Sequence, residues 1–284
     1  MNILVRLNLL FLPLIAIGGC GSPQSFTLAT SSLNGTEIQE DIWQARDSSD
    51  TAKAAQLQAT LSQVLTQGNC NQTKSELTGV TQKVVLACDQ GIGAVVKIKQ
   101  IPFPFEEPTG RNENAGIPIL TGFSLSDANA EMAAYSMDAL LQLNVVPTTL
   151  RRVVPGVGVG SAQYFVKDTT AIGYDLNLVG FRRMLILDYI NNNCDRHSGN
   201  WLYRATSNRI VAIDNGRSFR DEATPPVPPP TLDAVILYLQ SEPTLTQTLK
   251  RVTDAQVEAA LNPYLRNYLI QKVLSRIHSI QAKL

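Results

Sequence analysis

Residues 186–219, ILDYINNNCDRHSGNWLYRATSNRIVAIDNGRSF, decide how the rest of the chain is read. They hold two short polar signatures, Asp195-Arg196-His197-Ser198-Gly199-Asn200 and Asp214-Asn215-Gly216. Between them lies a hairpin pattern. Trp201, Leu202 and Tyr203 read as one strand, Ser207 and Asn208 as a turn, and Ile210 to Ile213 as the returning strand. A hairpin of that size brings its two ends together, so Asp195, Asn200 and Asp214 are expected to converge. Two carboxylates and an amide oxygen are hard oxygen donors, suited to Mg²⁺ or Mn²⁺. Taken singly, Asp-Arg and Asp-Asn-Gly are ordinary turn chemistry. Their order, and the hairpin that joins them, point to a metal site instead.

Phosphoryl transfer needs such a set. One Asp orients or deprotonates the attacking hydroxyl, while an Asn and a second Asp hold the metal that bridges the nucleotide phosphates. The spacing Asp195-x4-Asn200, followed by Asp214-Asn215-Gly216, is that of a kinase catalytic loop and its metal-binding Asp. Upstream, Thr81 to Cys88 reads as a strand, Asp89 to Gly93 as a turn and Ala94 to Lys99 as the return strand. A Lys within a β-branched strand is poorly placed without a partner. Lys97 is therefore the candidate phosphate ligand, with Lys99 as the alternate. The competing explanation is an edge strand that carries Lys at alternate positions against aggregation. No G-x-G-x-x-G loop precedes this hairpin, and Gly79 and Gln82 lie where a phosphate-covering turn would form.

Residues 126–143 read as a helix capped by Ser126 or Asp127, with Ala130, Ala133, Ala134, Met137, Leu140 and Leu141 as its apolar stripe. Glu131, beside the stripe, either complements the helix N-terminus or pairs with Lys97. Val145-Val146-Pro147 ends that helix and begins a strand. Residues 149–154 and 161–166 form a hairpin across a Pro- and Gly-rich loop. Gln163 to Lys167 then makes a hinge, with Phe165 and Val166 as its nucleotide-binding positions. A helix over residues 176–191 delivers the Asp195 loop.

The 284 residues carry 24 Lys and Arg against 24 Asp and Glu, so no net charge favours nucleic acid as a partner. Residues 1–19 read as a lipoprotein signal peptide: Arg6 precedes the short apolar run LNLLFLPLIAI, and Ile17-Gly18-Gly19-Cys20 resembles a bacterial lipobox. Cys20 would carry the lipid, and the small polar residues 20–35 a tether to the membrane. Residues 36–70 read as a helical extension of one or two helices. Cys70 and Cys88 flank a short segment in an exported chain, which makes a disulfide between them plausible. Cys194 reads as a small buried residue. Past Phe219, residues 223–230 (ATPPVPPP) read as a stiff, exposed polyproline segment. Helices are expected over 231–240 and 244–252, then from the Thr253 cap to Leu261, and finally from Asn262-Pro263 with Pro at its first position. His278, on that last helix, is assigned no chemistry.

The order Val96-Lys97-Ile98-Lys99-Gln100, Asn129-Ala130-Glu131-Met132, Asp195-Arg196-His197 and Asp214-Asn215-Gly216-Arg217-Ser218-Phe219 resembles the secreted atypical kinases. These are the Golgi casein kinase and xylosyl kinase family, with bacterial and spore-coat relatives. Similar Asp-Arg-x3-Asn and Asp-Asn-Gly signatures occur in type II phosphatidylinositol 4-kinases and HipA-type kinases. The resemblance covers roughly residues 79–219. It implies an α+β, two-lobed atypical protein-kinase-like fold, with an N-lobe and hinge over 71–167 and a mostly helical C-lobe over 168–284. It also implies ATP and Mg²⁺ or Mn²⁺ as cofactors and a protein or glycan hydroxyl as acceptor. Lys97 would contact the ATP phosphates, alongside Gln82, and Glu131 would fix Lys97. Asp195 would be the catalytic base, Asp214 the main metal ligand and Asn200 its companion. Asn200 departs from the animal secreted enzymes, which have Glu in this loop. His197 would brace the loop, and Arg217 would brace Asp195 or meet substrate. The expected localisation is an exported bacterial lipoprotein, at the outer membrane facing the periplasm. ATP is scarce there, which keeps an inactive kinase-like scaffold as the alternative, with a lipid kinase or adenylyl transfer behind it.

Overall fold

Asp50 separates the first two helices, α1 (Ile38–Asp47) and α2 (Thr51–Gln67). Its side chain accepts the Lys53 N–H at 3.1 Å and so caps α2. Ile38, Ile42, Trp43, Leu57, Leu61 and Leu65 recur at helical spacing, and all are buried. The computed structural model describes residues 37–73, 83–98, 128–156, 158–220 and 227–284. The signal-peptide and Cys20 expectations lie outside these residues, as do Gly79, Gln82, Lys99, the Ser126 and Asp127 caps, and the first half of ATPPVPPP, residues 223–226.

The apolar face formed by α1 and α2 covers a five-stranded antiparallel sheet. Its strands are β1 (Cys70–Thr73), β2 (Lys83–Cys88), β3 (Gly93–Ile98), β4 (Thr149–Val154) and β5 (Gly158–Tyr164), in the order β1-β2-β3-β5-β4. Val84, Leu86, Ala94, Val96 and Ala162 alternate inward and share one core with the two helices. The β2–β3 turn closes through Gly91, whose φ of +74° suits glycine. Strand β1 was not expected, because Cys-Asn-Gln-Thr carries no apolar alternation. It forms because Cys70 pairs with Cys88 in register and is joined to it by a disulfide.

The second core is helical. It gathers α3 (Ala128–Leu141), α4 (Val179–Asn191), α5 (Leu232–Leu239), α6 (Pro243–Arg251), α7 (Asp254–Leu261) and α8 (Asn267–Gln281). The hairpin of β6 (Trp201–Arg204) and β7 (Arg209–Ala212) lies against it. Phe181 and Trp201 meet edge to face there, with ring centroids 5.3 Å apart. Among the described residues, Leu150 packs against both cores. The described residues thus form a mixed α+β fold, an antiparallel sheet with two helices over it and a mostly helical second core.

Three expectations need correction. Val145-Val146-Pro147 is not the start of a strand. It is a buried connection, and β4 begins at Thr149. The last helix does not open at Pro263. Tyr264 and Leu265 both donate their N–H to the Leu261 carbonyl, at 2.9 and 3.0 Å, so 262–265 is a turn and α8 begins at Asn267. Proline suits that turn because it has no N–H to lose. The Pro-rich segment, where described, is only partly exposed, and the Val227 N–H donates to the Cys194 carbonyl at 3.1 Å.

Candidate active site

Strand β3 carries Lys97 into the interior, where only 7% of the residue is exposed. A buried ammonium is costly unless it is paired. Lys97 donates to Glu131 Oε1 on α3, and to Asp214 Oδ1 at 2.8 Å. Glu131 Oε2 accepts the backbone N–H of Asn215 at 3.0 Å. One glutamate therefore fixes both the lysine and the loop that bears Asp214. Lys99 was the alternate; the pairing belongs to Lys97.

The charges in this cluster tune one another. Burial alone would push the Lys97 ammonium down, but the Glu131 and Asp214 carboxylates outweigh it and raise its pKa. Burial would raise Asp214, but Lys97, and then Lys83 and Arg196, hold its carboxyl below the usual range. Both groups thus stay ionised at neutral pH. Asp214 also sits at φ 54°, in the left-handed region that Asp tolerates better than most residues.

The Asp195 loop is built from the end of α4. Asn192 takes a left-handed cap, at φ 50°, and turns the chain. The Asp195 N–H donates to Asn193 Oδ1 at 3.0 Å, and its carbonyl accepts Asn200 Nδ2 at 2.7 Å. That leaves Asn200 Oδ1 as the acceptor end of its side chain. The Asp195 carboxylate is about a quarter exposed and lies 3.8 Å from Arg217 Nη1. His197 is exposed, and its Nδ1 accepts the Gly199 N–H at 3.1 Å, so it braces its own loop. Cys194 is buried, and its thiol donates to the Arg217 carbonyl at 3.4 Å.

Behind the hairpin, Arg196 joins the two signatures. Its Nε and Nη2 donate to Asp188 of α4, both at 3.0 Å. Its Nη1 donates to the carbonyls of Asn200, at 2.5 Å, and Ile213, at 2.7 Å. Its Nη2 also reaches Asn215 Oδ1 at 2.5 Å. The convergence expected from the hairpin is seen in the backbone too: the Ile213 N–H donates to the Asn200 carbonyl at 3.1 Å.

A cavity of about 140 Å³ opens beside this cluster. Val95, Phe165, Val166, Leu202 and Val211 supply apolar walls, and Lys83, Lys97 and Asp214 form a charged end. The structure thus brings together Lys97, Glu131, Asp214, Phe165 and Val166, and links Asn200 to Asp195; Gln82 lies outside the described residues. Lys83 was missed. It faces Lys97 across β2 and β3, and its Nζ lies 3.8 Å from Asp214 Oδ2. The signal was present: an odd-numbered lysine, fourteen positions before Lys97, on the strand that pairs with it.

Among the described residues, no group of three or more His, Cys, Asp and Glu side chains gathers into a ready-made metal cage. One ionised carboxylate and an amide oxygen still suit Mg²⁺ or Mn²⁺, which keep several waters and take phosphate oxygens from the substrate.

Comparison with known proteins follows the same lines. The sequence matches the family "Phosphatidylinositol 3- and 4-kinase" over residues 128–247, from α3 into α6. No curated protein matches. Among solved structures, the chain is similar to the Golgi casein kinase with Mn/ADP bound, at a TM-score of 0.53 and 17% identity, covering 80% of this chain and 75% of that one. It is also similar to hydra Fam20 solved with sugar, at a TM-score of 0.56 and 13% identity, covering 80% of this chain and 88% of that one. The chain has the fold of the atypical kinases. At these identities it is the fold that is shared, with the Lys97–Glu131–Asp214 cluster lying where this chain's own motif order puts it.

Proposed function

We propose that the protein is a kinase that uses ATP and a divalent metal ion to phosphorylate a hydroxyl group on a protein or glycan. The observation that carries this reading is the Lys97 cluster: one buried ammonium bound to carboxylates from two separate elements, at the charged end of an apolar cavity. An adenine base suits the apolar walls. Phe165 donates its N–H to the Gly93 carbonyl at 2.9 Å, so of the two hinge positions Val166 takes the base edge. Lys97 and Lys83 then neutralise phosphate oxygens, and Glu131 keeps Lys97 in place.

Asp214 and Asn200 are the residues that would hold Mg²⁺ or Mn²⁺. When bound, the ion offsets the charge that builds on the phosphates. Asp195 orients the acceptor hydroxyl and takes its proton. The acceptor oxygen forms a bond to the γ-phosphorus, the bond from that phosphorus to the β–γ bridging oxygen breaks, and ADP leaves. Arg217 stands beside Asp195, with its Nη1 3.8 Å from Asp195 Oδ1. We further propose that the chain is an exported lipoprotein held at the membrane through Cys20, in keeping with the apolar run and the lipobox-like tetrapeptide before it.

The test uses the detergent-solubilised full chain. ATP with Mn²⁺ or Mg²⁺ is expected to raise the Tm, since a ligand about a hundredfold above its Kd stabilises by ~2.7 kcal/mol. Asp214→Ala should abolish the metal-dependent shift. It should also lower labelled phosphate transfer on the order of a thousandfold, the equivalent of about 4 kcal/mol. Acceptor panels of acidic protein, glycan and phosphatidylinositol separate the acceptor classes, and a labelled adenylyl product would reassign the transfer. No shift with any nucleotide would leave an inactive scaffold.

A further inference from the structure

Arg196 spends every donor of its side chain inside the protein. A guanidinium has five N–H donors and no acceptor. All five are engaged: two on Asp188, one each on the Asn200 and Ile213 carbonyls, and one on Asn215 Oδ1. The residue is 7% exposed and Asp188 1%. These partners are not scattered. Asn200 is one proposed metal ligand, and Ile213 and Asn215 flank the other, Asp214. Asp188 extends the set further, since its Oδ1 accepts Asn193 Nδ2 at 3.1 Å and Asn193 Oδ1 accepts the Asp195 N–H. A rigid planar fork therefore spans the two segments whose separation a metal ion would read.

We propose that Arg196 is a positioning residue that sets the spacing between Asn200 and Asp214, and with it the metal affinity of the site. This rests on the kinase reading above, in which those two side chains hold the ion. It assigns Arg196 no contact with ATP or acceptor. Its charge also favours the ionised form of Asp214, but the spacing comes from the fork. Lysine keeps the charge and loses the geometry, because it offers three donors from a single point.

The experiment titrates Mn²⁺ at fixed ADP against the full-length protein in detergent and reads the midpoint of the thermal shift. Arg196→Lys is expected to fold and to raise the Mn²⁺ midpoint roughly 10- to 100-fold, as loss of an outer partner of a metal ligand does. Leu274→Ala, in the buried face of α8, serves as the control: it lowers Tm but leaves the midpoint alone. Should Arg196→Lys not fold, Asn215→Ala removes one of the five bonds and should raise the midpoint severalfold. An Arg196→Lys or Asn215→Ala protein with a lower Tm and an unchanged Mn²⁺ midpoint would overturn the proposal and leave Arg196 a plain structural residue. A wild-type protein with no Mn²⁺-dependent shift would instead bring down the kinase reading, and the positioning role with it.

Discussion

Two ion-pair clusters meet at the segment that bears Asp214, and they finish in opposite states. The Arg196–Asp188 pair is closed: both side chains are under 5% exposed, and every guanidinium donor is spent inside the protein. The Lys97 cluster is open: Asp214 is a third exposed, Lys83 stands nearby, and the cavity meets the charges directly. The chemistry of the two is similar. The difference lies in where the last partner comes from. A closed cluster holds geometry, and an open one is arranged to exchange a protein partner for a ligand.

The sharpest way to break this comparison is Asp188→Asn. Leaving Arg196 buried without its bidentate carboxylate is expected to cost about 3–5 kcal/mol of stability, measured by urea unfolding. A loss below about 1 kcal/mol would mean the closed cluster is not closed.

Asp138 of α3 shows what a buried carboxylate does without such a fork. It is fully buried; its Oδ1 accepts the Val145 and Val146 N–H groups at 2.9 and 3.1 Å, while Oδ2 has no partner among the described residues. Burial pushes its pKa up to about 6, against the pull of the Val145 N–H, Arg46, the Val146 N–H and Arg183. The folded state then keeps a proton that the unfolded chain loses near 3.8. Stability from this group is present at low pH and falls as pH rises toward 6, by up to about 3 kcal/mol. Asp138→Asn should raise stability at pH 7.5 by as much and flatten unfolding between pH 4 and 6. A variant less stable than wild type at pH 7.5 would show that the carboxylate is wanted in its charged form.

Asp214 should behave with the opposite sign and a smaller size. Its folded pKa is depressed, so its contribution is present above the unfolded pKa and is lost as pH falls. Because the side chain reaches solvent, Asp214→Asn should change ligand-free stability by about 1 kcal/mol or less. A loss as large as that of Asp188→Asn would mean that the open cluster is structural after all.

Much of this was legible in the chain. The hairpin from Trp201 to Ala212, the helices and the order of Lys97, Glu131, Asp195 and Asp214 are local patterns, set by alternation, helical spacing and turn residues within a few positions of each other. Strand β1 was not legible, because Cys-Asn-Gln-Thr is polar and forms a strand only through its partner β2. The turn at 262–265 was not legible either, since Asn-Pro fits both a helix start and a turn, and hydrogen bonds back to Leu261 decided between them.

By itself, then, the sequence determined the chemistry available: which acids, amides and lysines occur, in what order and on what kinds of element. Only the tertiary structure decided their partners. Lys97 and Asp214 are 117 residues apart, and Glu131 lies 34 from Lys97. No periodicity reaches so far. Lys83 became a member of the site, and Arg196 the link between the two signatures, because a buried charge must find its counterpart in space, wherever the chain carries it.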